Sequence, residues 1–118
     1  MDINPRSAAP LLEIRRRARL VNDAVGQASY DDYLSDLQMQ AAVERHLEVI
    51  GEAFRRLRDE DEATADRIEG HRAFVGLRNV IAHGYDRLVQ ETIWQTVTDD
   101  LPAVIVRVSS LLNELGEE

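Results

Sequence analysis

The chain has 118 residues, no cysteine and a formal net charge of −8, its fourteen basic side chains, all arginine, facing 22 Asp and Glu. That length holds one modest core, giving a single domain over residues 1–118. The missing cysteines exclude disulfides and thiolate metal sites and leave three histidines and the carboxylates as ligands, so no metal and no cofactor is expected. The acidic balance opposes loose, non-specific binding to nucleic acid, though not a small basic cleft.

No apolar run reaches membrane-spanning length, and "MDINPRSAAP" lacks the apolar segment of a secretory signal, so a cytoplasmic protein with no membrane partner is expected. Leu11, Ile14, Ala18, Val21 and Val25 recur at intervals of three and four, which predicts a first amphipathic helix whose start is favoured by Ser7 and Pro10. The same helix carries "EIRRRARL", with Arg15, Arg16, Arg17 and Arg19, whose plain reading is a solvated basic face. Residues 91–118 hold six acidic side chains and one arginine, so charge is segregated along the chain.

After the break "GQASYDDY", a longer second helix is predicted from about Asp31 to Leu57, with Val43, Leu47, Ile50, Phe54 and Leu57 on one stripe. The acidic "RDEDEATADRIEGH" reads as a linker with one short helical piece before Gly70. A further helix carries Phe74, Leu77, Val80 and Ile81. The last, from about Glu91, carries Ile93, Val97, Leu101, Val104, Val108 and Leu111, and Pro102 inside it predicts a kink. The fold class is all-α: an up-and-down bundle of four to five helices with a kinked last helix.

The chemistry concentrates in "GLRNVIAHGYD", Gly76 to Asp86. On a helix Asn79 and His83 are neighbours on one face, while Arg78 and His83 lie about 140° apart around the axis, a gap that a long arginine side chain can close. Gly84 suits the left-handed residue that ends a helix, so His83 falls in the last turn, where unpaired carbonyls favour a cation, and Tyr85 lies just outside. An imidazole that moves protons near neutral pH and a guanidinium that holds a phosphate are parts for phosphodiester chemistry. One histidine is sparse for a site that needs both a base and an acid, and a two-fold dimer would supply the second. The bland reading is that His83 caps its own helix, Arg78 pairs with an acidic neighbour and "NVIAH" is packing.

"RNVIAHGY" resembles the Arg, Asn, three variable residues, His, one variable residue, Tyr pattern of the HEPN superfamily, and specifically the HepT-like toxins of HepT/MntA toxin–antitoxin modules. "ERHLEVIGEAFRRL" is similar to that family's second-helix signature, "FVGLRN" to its approach to the motif and "IWQTVTDDLPAVI" to its final helix, which together cover most of the region from Leu37 to Ile105. The resemblance implies a metal-independent endoribonuclease with Arg78 and His83 catalytic and Asn79 supporting. It also implies that Tyr85 is the hydroxyl to which a partner nucleotidyltransferase antitoxin of the MntA kind attaches AMP. The implied partners are a second copy in a homodimer, that antitoxin, and an RNA substrate.

Gly51 reads as a close helix contact. Glu52 has two open readings, a solvated or paired carboxylate, or one that faces the motif helix and holds Arg78 or Asn79. His46 and His71 read as surface or helix-end residues, Trp94 as core or dimer interface, and Tyr30 and Tyr33 as packing near the second helix's start. The alternative function, from another class, is a non-catalytic subunit that uses the same corner to bind a nucleotide or to present Tyr85 to a nucleotidyltransferase; a purely structural helical partner is a third.

Overall fold

The computed structural model describes residues 2–83 and 87–117, the side chains of 87–89 excepted, and every regular element among them is helical. A 3-10 turn at Pro5–Ser7 leads into α1 (Ala8–Val25), followed by α2 (Tyr30–Leu34), α3 (Leu37–Glu60) and α4 (Glu62–Ala65). Then come α5 (His71–Ala82), α6 (Arg87–Gln95), a π-helical turn at Thr96–Asp100, and α7 (Leu101–Glu114). The axis of the bundle is α3, which packs on α1 and on α5, while α7 lies against α1. None of the described helices is long and apolar enough to cross a membrane.

The apolar spacing explains the core. Val43, Leu47, Ile50, Phe54 and Leu57 of α3 meet Leu11, Ile14, Ala18 and Val21 of α1, and the predicted stripe from Ile93 to Leu111 is buried throughout. Val80 is the exception among the stripe residues of α5, since it is 36% exposed while Phe74, Leu77 and Ile81 turn inward.

One helix boundary differs from expectation for a local reason. The helix expected from Asp31 to Leu57 is two helices, because Ser29 and Asp36 each start one. The Ser29 hydroxyl accepts from the Asp32 N–H at 3.1 Å while the Asp32 carboxylate accepts from the Ser29 N–H at 3.0 Å, a reciprocal cap. The Asp36 carboxylate then accepts from the Met39 N–H at 3.0 Å and opens α3. In the C-terminal part, the helical run continues from Arg87 to Glu114 with Pro102 inside it, and the irregularity expected there is the π turn Thr96–Asp100 that ends two residues before the proline. The acidic linker does contain one short helix, α4, although its first residues still belong to α3.

The two halves are joined by an aromatic cluster. The ring of Trp94 lies 5.9 Å from that of Tyr30 and 5.2 Å from that of Tyr33. The Tyr33 hydroxyl donates to the Gln90 side chain, whose amide donates to Glu44 at 2.9 Å, tying α6 to α2 and α3. Burial, with Glu44 and Tyr30 nearby, raises the Tyr33 phenol well above its ordinary range, so it serves as a hydrogen-bond donor.

Candidate functional site

The motif helix α5 starts from Gly70, whose φ of +85° reverses the chain. His71 follows at the first position, buried, with Nδ1 3.1 Å from the Ile68 carbonyl oxygen and Nε2 3.7 Å from Asp66. It is a helix-end residue, as expected, but one packed inside the protein.

Seven residues on, Arg78 stands on the flank of α5 that meets α3. The approach is close because residue 51 is glycine: a Cβ there would collide with the Arg78 Cβ and lie 2.8 Å from the Phe74 carbonyl oxygen. Gly51 is therefore the close helix contact that the sequence led us to expect. The absence of its side chain lets Glu52, one residue further, reach the Arg78 guanidinium at 3.6 Å. Glu52 thus faces the motif helix, and it also approaches Arg55 at 4.0 Å. Arg78 Nη1 donates to the Asn79 side-chain oxygen at 3.0 Å, which turns the guanidinium toward the Asn79 flank of the helix.

Asn79 and His83 are both exposed. The His83 N–H donates to the carbonyls of Asn79 and Val80, each at 3.2 Å, so the imidazole is carried on the capping residue that closes α5. Gly84 and Tyr85, the expected terminator and modification site, lie outside the described residues. Beside Arg78 a cleft of about 190 Å³ is lined by Arg45, Glu48, Val49, Glu52, Arg56 and Arg78. Arg45 and Arg56 did not emerge from the motif. The signal that points to them is their helical spacing with Glu52, on the face of α3 opposite its apolar stripe. Among the described residues no group of three His, Asp or Glu side chains is arranged to hold a metal ion.

The chain is an all-helical bundle with Arg-Asn-x3-His at the end of α5, and its match to a family model makes it a HEPN-related domain. The chain belongs to the ribonuclease HepT-like family, whose description matches residues 14–111. Among curated relatives it is 29% identical to a Methanocaldococcus jannaschii protein named "Putative RNase MJ0127", over 92% of this chain and 88% of that one. It is 28% identical to the "Probable ribonuclease HepT" of Thermococcus cleftensis, over 80% and 84% of the two chains. No solved structure matches it significantly. The activity class of the family is ribonuclease.

Proposed function

We propose that this single-domain protein is the toxin of a toxin–antitoxin module, a metal-independent endoribonuclease that acts as a homodimer and is neutralised when a partner nucleotidyltransferase adds AMP to Tyr85. The observation that carries the reading is the arrangement along α5: a guanidinium held by Glu52 and Asn79, and an exposed histidine on the residue that caps the same helix.

In this reading a neutral His83 takes the proton of a ribose 2′-hydroxyl as its oxygen attacks the adjacent phosphorus. Arg78 holds the non-bridging oxygens while negative charge builds on them. The bond from phosphorus to the 5′-oxygen breaks, and a protonated His83 from the second copy delivers the proton that the leaving oxygen needs. The products are a 2′,3′-cyclic phosphate and a 5′-hydroxyl. Water enters neither bond change, and proton transfer is assigned to imidazoles.

The surface of α5 supports the two-copy form. Ala73, Gly76, Val80 and His83 are exposed at spacings of three, four and three, and nothing lies within 4 Å of where a Gly76 side chain would begin. Small residues at Ala73 and Gly76 would let two copies of α5 approach closely, with Val80 between the helices and the two His83 side chains toward a shared axis. AMP on Tyr85 would place a bulky anion next to this corner and compete with the RNA phosphate. The test is the rate of RNA cleavage per chain as protein concentration is raised in EDTA. A composite site gives a rate per chain that climbs as dimer forms, whereas a rate per chain independent of concentration in a monomeric protein contradicts it.

A further inference from the structure

Two groups of arginines from different helices meet on the outer face of α3. The first is on α1: Arg17 Nη1 donates to His46 Nδ1 of α3 at 3.2 Å, and Arg16 is 68% exposed beside it. Arg45 precedes His46 on α3, and burial, then the charges of Arg17, Arg16 and Arg45, lower the His46 pKa. The second group lines the cleft next to the motif, where Arg45 and Arg56 face Arg78 of α5. Arg45 belongs to both. It and Arg56 are eleven residues apart, three helical turns and about 20°, so they share one side of α3 at a separation of roughly 16 Å along the axis.

The result is a continuous band from α1 across α3 to α5. Five guanidiniums, Arg16, Arg17, Arg45, Arg56 and Arg78, are offset there by only three carboxylates, Glu13, Glu48 and Glu52. Glu13 is shared by Arg16 and Arg17, while Arg45 and Arg56 have no ion pair with a described residue. In a chain of net charge −8 this local excess is unusual. A band of planar donors spaced along a helix matches a chain of phosphates, and the acidic remainder of the surface would repel RNA from other paths.

We propose that this band is a phosphate-backbone track: a single strand of RNA held at the end of α5 runs over α3 toward α1, with Arg56, Arg45 and Arg16 engaging phosphates spaced along the strand outside the reacting one. The track rests on the ribonuclease reading of the α5 site and assigns to the same substrate a second, non-reacting contact region.

The test compares labelled trinucleotide and dodecanucleotide RNAs binding to the His83→Ala protein, with and without Arg16→Gln and Arg45→Gln together, at several salt concentrations. Both arginines are exposed, so the fold should tolerate their loss. The expected result is that the dodecanucleotide's advantage over the trinucleotide falls about tenfold and its salt slope drops by roughly 1.4, two phosphate contacts on a single strand. Lysine at both positions should restore the slope. An unchanged dodecanucleotide advantage, or equal loss on both lengths, overturns the proposal. So does tighter binding of polyglutamate than of RNA, which would give the band to an acidic protein. If the wild-type protein cleaves neither RNA while the length-dependent binding still needs Arg16 and Arg45, the cleavage reading fails and the track stands.

Discussion

Gly51 of α3 and Arg78 of α5 are in a contact that leaves no room for a side chain at position 51, where a Cβ would lie under 3.0 Å from both the Arg78 Cβ and the Phe74 carbonyl oxygen. An alanine there would gain about 1 kcal/mol of helix propensity. Overpacking costs about 1–3 kcal/mol, and because one obstacle is backbone rather than a flexible side-chain end, the cost should win. Gly51→Ala is expected to lower the melting temperature and Gly51→Val to lower it further, measured by circular dichroism. Both should also reduce RNA cleavage, since either must push α5 and its arginine away from Glu52.

Glu52 tests the positioning of Arg78 separately from stability. The pair is partly exposed, with side chains 35% and 43% accessible, so Glu52→Gln should change folding stability by less than about 1 kcal/mol. Cleavage should nevertheless fall about tenfold, mainly in kcat, as the guanidinium loses the anion that orients it. Glu52→Asp should recover part of the loss. A loss that appears only in melting temperature would assign Glu52 to the fold instead.

Asp61 joins the N-terminal turn to the start of α4, and its role can be read from pH dependence. Its carboxylate accepts from the Asn4 N–H at 3.0 Å, the Ser7 hydroxyl at 2.9 Å and the Thr64 hydroxyl at 2.6 Å. Burial raises its pKa, but these bonds outweigh that and hold it below the ordinary 3.8. The folded-state pKa lies below the unfolded one, so this stabilisation is present above pH 3.8 and is lost as pH falls through the folded value. Asp61→Ala should cost about 1–2 kcal/mol at neutral pH and flatten the acid limb of the stability curve, as followed by urea titrations.

Apolar spacing made most of the core legible, because a stripe at three and four residues buries one face whatever its neighbours are. Leu11 to Val21, Val43 to Leu57 and Ile93 to Leu111 all lie where their spacing puts them. The break before α3 was not legible in that way. The stripe begins at Val43, after the Asp36 cap, so the pattern is indifferent to where the helix starts. Val80 shows the converse limit: its spacing fits the stripe, yet the angle at which α5 docks on α3 leaves it at the surface. Within the site, Arg78, Asn79 and His83 were marked by their chemistry. Arg45 and Arg56 read as an ordinary solvated face until α5 docks at Gly51 and closes a cleft around them.

The proposed modification is tested on intact protein. Coexpression with the partner nucleotidyltransferase should add the mass of AMP to the wild-type chain, with peptide mapping to Tyr85, and should silence cleavage. Tyr85→Phe should accept none and remain active in the same cells. Modification confined to Tyr30 or Tyr33 would contradict this assignment.

The most direct test of the account is cleavage of a defined RNA by purified wild type, His83→Ala and Arg78→Ala proteins in EDTA, with the product ends identified by mass. We expect wild-type cleavage to persist under chelation and to leave a 2′,3′-cyclic phosphate. Each substitution should reduce the rate by at least about a hundredfold, as removal of a proton carrier or an oxyanion donor does, while helicity and melting are retained. Cleavage abolished by EDTA, or unchanged rates in both substituted proteins, would contradict it.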